Sequence, residues 1–357
     1  MTGLVQGTGD YFWNSSATTQ EKLSLLQAGI EAGMILLDTA EGYGQGASES
    51  LIGELSTRGL KRRYLVATKV SPEHLRYEDV IAACEASLKR LQIDTIHLYQ
   101  IHWPNPAVPI EETMLALGKL AYDGKIQNIG FSNFTEPEIT QAWKYIPELH
   151  DRTRHLQYEY NWFERSVERM TSFCDDNVIL AYSPFHYFQY LNEGQRQQLD
   201  YFTTKYECTI YQLALAWIQR HGEFVRPIVR TSSLKHLQDN LREINLTIED
   251  VVLLNRLFPE AVTYLQPEDI LVESGGEWDR EAYRNISEAK DNKLGLCPSP
   301  QHLAQHFRQG GSLLKPIRVV RNSAKDFEKP YVLVGGRVSY WAWSIAFANK
   351  PIPAYIR

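Results

Sequence analysis

The stretch Leu37-Asp38-Thr39-Ala40-Glu41-Gly42-Tyr43-Gly44 decides how the rest of the chain is read. It follows a short apolar run, Met34 to Leu37, and turns polar where that run stops. The same change recurs in Val66-Ala67-Thr68-Lys69-Val70, after the run Tyr64 to Ala67, and in Leu98-Tyr99-Gln100-Ile101-His102-Trp103. Apolar runs of this length suit buried parallel strands. In a parallel barrel the C-terminal strand ends share one face, so Asp38, Tyr43, Lys69 and His102 converge there although distant in sequence. A carboxylate, a phenol, an amine and an imidazole in one pocket form a proton-handling site. Singly, each reads as an ordinary strand-end polar residue, a packing phenol or a salt-bridge partner.

Outward from this stretch, strands and helices alternate. Thr18-x-x-Glu21 is a capping-box start, followed by Leu23, Leu26 and Ile30 on one helical face. Val80, Cys84, Leu88 and Leu91 mark a helix from Tyr77 to Leu91, and a further helix spans Ile110 to Tyr122. Strands are expected at Leu4 to Thr8, Ile96 to Ile101, Ile126 to Phe131, His155 to Tyr158, Val178 to Tyr182 and Val225 to Val229. Thr135-x-x-Glu138 opens another helix, and Thr247-x-x-Asp250 begins one that closes the series at Leu257. About eight βα units make a closed (β/α)8 barrel over residues 1–260 the natural architecture.

After Glu260 the pattern changes. Glu273 to Lys293 is polar and without clear periodicity, and reads as an arm or loop. A helix at Pro298 to Gly310, strand-like runs at Pro316 to Val320 and Tyr331 to Val334, a helix at Val338 to Asn349 and a last strand at Pro353 to Ile356 form a small α+β unit over 261–357.

Composition excludes several classes. With 43% hydrophobic and 22% charged residues the chain reads as globular, and no apolar stretch approaches the ~20 residues of a membrane span. Residues 1–20 lack a basic start and an apolar segment, so a cytoplasmic location is expected. The cysteines, Cys84, Cys174, Cys208 and Cys297, have no metal-ligand spacing, and no metal is expected. Residues 262–357 hold 13 Lys+Arg and 10 Asp+Glu, net +3; the preceding residues hold 24 and 33, net −9. The acidic larger part gives no basis for binding nucleic acid.

The Asp-Thr-Ala-x-x-Tyr-Gly segment, followed by Thr68-Lys69 and by His102-Trp103-Pro104, resembles the aldo-keto reductase family, whose tetrad is Asp, Tyr, Lys and His in this order. The resemblance implies reduction of an aldehyde or ketone to an alcohol, or the reverse, with Tyr43 as general acid, Lys69 and Asp38 tuning it and His102 directing the carbonyl. Hydride must come from a cofactor, since no side chain donates it, and no GxGxxG follows a strand, so a Rossmann domain is not available; the resemblance implies instead a nicotinamide lying across the barrel mouth. Ser132, Asn133 and Gln157 match positions that hold the carboxamide, and Tyr182 matches the aromatic that stacks on the ring. Thr8, Asp38 and Ser183 fall in the same cofactor site. Arg230, Thr231, Ser232, His236 and Asn240 match the adenosine-phosphate segment, and Arg230 with Lys235 favours NADPH over NADH.

The chain departs from the family after Ser183-Pro184, where Phe185-His186-Tyr187-Phe188-Gln189-Tyr190 replaces a small glycine loop. Phe185 and Tyr187, with Trp13 and Trp103, are candidates for the substrate pocket. An alternative reading is a cofactor-binding regulatory or scaffolding protein with little turnover. Residues 313–320, Tyr331 to Ala342 and Ile352 to Ala354 resemble the ParB/sulfiredoxin fold, which implies a nucleotide or a partner protein at that unit. Arg337, Val338 and Ser339 stand where sulfiredoxins carry Cys, His and Arg after the glycines, so sulfinic acid reduction is not expected. No helix-turn-helix pattern follows, and neither DNA nor a membrane is expected as a partner.

Overall fold

A computed structural model describes residues 3–9, 17–60, 63–149, 155–170, 177–259, 262–273, 283–311, 315–322 and 329–356. Eight parallel strands close into a barrel in sequence order: β1 Val5–Gly7, β2 Leu36–Asp38, β3 Leu65–Val70, β4 Ile96–Ile101, β5 Ile126–Ser132, β6 His155–Glu159, β7 Val178–Tyr182 and β8 Val225–Val229. Strand β1 pairs with both β2 and β8, so the sheet has no free edge. The outer helices are α1 Thr19–Glu31, α2 Ala47–Leu55, α3 Tyr77–Leu91, α4 Ile110–Tyr122, α5 Glu136–Trp143, α6 Glu193–Lys205, α7 Ile210–Gln219, α8 Leu234–Asn240 and α9 Ile248–Leu257.

Strand register sorts the side chains into layers. Val5, Leu36, Ala67, Leu98, Leu180 and Ile228 meet inside the barrel as one apolar layer. Fully burying a leucine or isoleucine there contributes about 1.5–3 kcal/mol. Two residues further along the strands the inward positions turn polar, which lifts Asp38, Lys69 and Gln157 onto the mouth side. Helix α3 shows the outer layer's logic: Val80, Cys84, Leu88 and Leu91 are buried at helical spacing. Gln92, left-handed at φ 55°, stops the helix. Leu88→Ala would cost about 2–5 kcal/mol. The capping boxes at Thr18 and Thr135 are formed, and the Thr247 side chain accepts from the Asp250 backbone N–H.

The third strand and the segment after Glu273 differ from their sequence reading. The third strand runs past Ala67 to Val70, so Lys69 lies within the strand; its pairing with Asp38 makes a buried ammonium tolerable there. Within Glu273 to Lys293 a short helix, α10 Ile286–Lys290, is capped by the Asn285 side chain. Five residues are too few to display helical periodicity.

The chain divides into two compact units: 1–104, 108–186 and 193–258, and then 105–107, 187–192 and 259–357. The second unit contains a five-stranded sheet in the order β10-β12-β11-β13-β9, formed by β9 Val262–Leu265, β10 Ile270–Leu271, β11 Ile317–Arg321, β12 Tyr331–Gly335 and β13 Ile352–Ile356. Its helices are α10, α11 Pro300–Arg308 and α12 Arg337–Phe347. Ile270, Ile317, Val319, Leu333, Ile352 and Ala354 supply its core, with Tyr340 and Trp341 from α12. Strands β9 and β10 escaped the sequence reading because four and two residues carry too little alternation.

Candidate active site

Barrel register brings Asp38, Tyr43, Lys69 and His102 together. Asp38 ends β2, and Lys69 stands on the neighbouring β3 with its side chain fully buried. Lys69 Nζ donates to Asp38 Oδ1 at 2.8 Å and to the Thr39 carbonyl at 2.7 Å. It also hydrogen-bonds Tyr43, whose ring centroid lies 5.1 Å away. Burial is the largest influence on Lys69 and disfavours the ammonium. The charges of Asp38 and Tyr43, and the hydrogen bonds to both, outweigh it and raise the lysine above its ordinary range. His102 follows β4 and meets Tyr43 edge-on, with ring centroids 5.6 Å apart.

A second set of polar groups joins this tetrad. Gln157, from β6, donates through Nε2 to the other Asp38 oxygen at 2.7 Å. Asn133, left-handed at φ 65°, donates through Nδ2 to the His102 carbonyl at 3.2 Å and to Ser132 Oγ at 2.9 Å. Asparagine tolerates that backbone better than most residues. The Tyr182 hydroxyl donates to Asn133 Oδ1 at 2.8 Å. Thr8 is buried, and its hydroxyl donates to the Asp38 carbonyl at 3.0 Å. Strand ends β1, β2, β5, β6 and β7 therefore converge through side chains of the first unit alone.

On the β8 side, Arg230 is exposed at its head, while its stem lies along β1. A methyl built on Gly7 would approach Arg230 Cγ to 3.2 Å. One built on Gly9 would come within 3.9 Å of the Tyr43 ring and 4.0 Å of Arg230 Cδ, so Gly9 separates tetrad from cation. Ser232 and His236 are linked at 3.3 Å near the start of α8; Thr231 precedes them and Asn240 ends that helix. Among the described residues no group of three or more His, Cys, Asp or Glu could hold a metal ion.

Of the candidate aromatic residues, Phe185 and Trp103 belong to the first unit and Tyr187 to the second. Phe185 packs against the cluster Leu4, Met34, Leu215, Val229 and Leu237 and meets Tyr211 edge-on, because apolar surface between strands and helices is available to it. Tyr187 is buried in the second unit, with the Arg318 guanidinium 5.1 Å from its ring centroid. Trp103 is 39% exposed. Trp13 lies outside the described residues. Sequence reasoning missed the Thr39 carbonyl, a backbone ligand of Lys69, and Gly7 and Gly9; backbone acceptors and glycine spacing carry no chemical signal of their own.

Comparison with known proteins agrees with this geometry. The pattern of the aldo/keto reductase family matches residues 3–257. Methylglyoxal reductase YeaE of Escherichia coli (strain K12) is 30% identical over 261 residues, covering 71% of this chain and 90% of the relative. An aldo-keto reductase from Klebsiella pneumoniae, solved in complex with NADPH, superimposes with a TM-score of 0.65 at 31% identity, covering 72% of this chain and 92% of that one. The thermostable aldo-keto reductase Tm1743, solved with the inhibitor epalrestat, gives a TM-score of 0.65 at 33% identity over 71% and 94%. The chain belongs to the aldo/keto reductase family and is an oxidoreductase of that class. The family match ends at residue 257, before the strands of the second unit begin.

Proposed function

We propose that the barrel is an NADPH-dependent carbonyl reductase, or the reverse alcohol dehydrogenase, in which Tyr43 is the general acid. The observation that carries this reading is the fully buried Lys69, bonded at once to Asp38 and Tyr43. A bound nicotinamide supplies hydride to the carbonyl carbon, and the residues of this chain handle the proton. A free phenol, with pKa near ~10, is a poor donor at neutral pH. The Lys69 ammonium favours the phenolate that remains after Tyr43 has given its proton to the carbonyl oxygen. Asp38 keeps Lys69 charged and oriented. His102, edge-on to Tyr43, hydrogen-bonds the same oxygen and sets its direction.

The residues fit a nicotinamide dinucleotide. Ser132, Asn133 and Gln157 offer a carboxamide complementary donors and acceptors. Arg230 and Lys235 supply exposed cations for a 2′-phosphate, which favours NADPH over NADH. Relatives named as a methylglyoxal reductase and solved with NADPH support both assignments. Small aldehydes and ketones are the substrate class to try first.

For residues 261–357 we propose a separate domain of ParB/sulfiredoxin type without sulfinic acid reductase chemistry. Its support is the left-handed Gly336, φ 83°, which opens α12 directly from β12, with Arg337 in place of a nucleophilic cysteine. Calorimetric titration of the full chain with ATP tests the nucleotide reading.

The reductase proposal is tested by fluorescence titration with NADPH, followed by turnover on methylglyoxal and a panel of aldehydes and ketones. Binding with turnover is expected. Failure to bind NADPH or NADH would end the proposal.

A further inference from the structure

Gln100 lies on the inner face of β4, in register with Lys69 on β3 and Gly130 on β5. It is fully buried, and among the described residues neither its Nε2 nor its Oε1 has a hydrogen-bond partner. Leu98 precedes it on the same face within the apolar layer. Gly130 makes room for it, since a methyl there would fall 2.9 Å from Gln100 Cγ. Sealing an amide away from every partner costs about 1–3 kcal/mol, whereas a leucine would simply extend the apolar layer. Buried polar groups in proteins are satisfied by protein or by internal water, and such water makes about three hydrogen bonds. The chain thus keeps a costly carboxamide beside the one buried lysine of the tetrad.

We propose that Gln100 is a positioning residue of the tetrad: its carboxamide holds internal water in the barrel beneath Lys69. This water solvates the ammonium from the side that Asp38, Thr39 and Tyr43 leave uncovered. The inference rests on the reading of Tyr43 as general acid and Lys69 as its tuning group. Burial is the largest influence against the charged lysine, and a water dipole beneath it offsets that influence directly. The other titratable or charged groups to be weighed are Asp38, Tyr43 and His102 on the mouth side and Glu159 at the end of β6. His155 and Arg226, on β6 and β8, share the inward face nearer the strand starts.

The sign follows from the chemistry. Without that water Lys69 loses its proton at lower pH, and Tyr43 loses the cation that acidifies it. In the full chain, Gln100→Leu and Gln100→Met, the second controlling for side-chain shape, should both fold, with the apolar layer extended in place of the amide. NADPH affinity should stay within about twofold. kcat should fall about tenfold, and the alkaline limb of its pH profile should move down by about one unit. Crystallographic density of the wild type should show water bonded to the Gln100 carboxamide. An unshifted pH profile in both variants overturns the proposal, and so does a dry carboxamide in the density. Tyr43→Phe is run alongside: if it turns over like wild type, the general-acid reading has failed, whatever the Gln100 variants do.

Discussion

The barrel holds two clusters of the same four chemistries: a carboxylate, a cation, a phenol and an imidazole. One is Asp38, Lys69, Tyr43 and His102 at the strand ends. The other is Glu168, Arg220, Tyr160 and His221, joined by Arg165 and packed against Trp217. In the second cluster Arg220 bonds both Tyr160, at 3.0 Å, and Glu168, at 2.9 Å. Tyr160 also meets His221 Nε2 at 3.0 Å, and the Arg220 guanidinium sits 3.8 Å above the Trp217 ring. Burial pushes the Tyr160 phenol far up, out of any useful acid range, and pushes His221 down to about 4. The tetrad differs in two respects. Its cation is a fully buried lysine bonded to Asp38 and Tyr43, and Asp38, Lys69 and His102 lie on or directly beyond the neighbouring strands β2, β3 and β4, whereas in the second cluster only Tyr160 directly follows a barrel strand.

The largest effect separating the clusters is expected from Lys69→Met. It leaves Asp38 buried without its cation, which costs about 3–5 kcal/mol, and it removes the ammonium bonded to Tyr43. Chemical denaturation and turnover should both register the change; a stable, active variant would erase the distinction. Tyr160→Phe should cost about 1–3 kcal/mol, because Glu168, Arg220 and His221 lose a shared partner. Activity at a permissive temperature should persist, and loss of turnover in well-folded Tyr160→Phe would place the second cluster in the chemistry.

A finer distinction comes from pH. His221 is held neutral in the fold, below its ordinary pKa of about 6.5. The unfolded chain therefore takes up a proton there first, and stability falls as pH drops from about 6.5 toward about 4. Glu168, held below the usual carboxylate range, against burial, by its bonds to Arg165 and Tyr160, adds a loss at still lower pH. Melting curves of His221→Gln should be flatter across the upper part of this window; an unchanged slope would remove His221 from the account. The smallest effect is kinetic. Cys84, buried and pushed up to about 12, should react with a thiol reagent only as fast as the fold opens, while half-buried Cys208 and Cys297 react sooner. Equal rates for the three would contradict the burial of α3.

Much of this was legible in the chain. The strand-end polar residues, the capping threonines at 18, 135 and 247, and the helical spacing of Val80, Cys84, Leu88 and Leu91 each carry a local pattern. The packing of Phe185 against Leu4, Met34, Leu215, Val229 and Leu237 was not legible, because an aromatic residue next to a site in sequence looks the same whether it faces the mouth or the helices. Gln100 was passed over because a glutamine within a strand signals nothing until register sets it beside Lys69. The second cluster was invisible for a related reason: Tyr160, Glu168 and His221 come from three separate segments without a shared motif. Strands β9 and β10 are too short for their pattern to rise above the surrounding loops.

The most direct test is a single-turnover measurement of NADPH oxidation by Tyr43→Phe and Tyr160→Phe, side by side with wild type, on a carbonyl the wild type reduces. The account predicts a fall of about 10²–10⁴-fold for Tyr43→Phe with NADPH still bound, and an essentially wild-type rate for folded Tyr160→Phe. Equal rates for the two variants would contradict it.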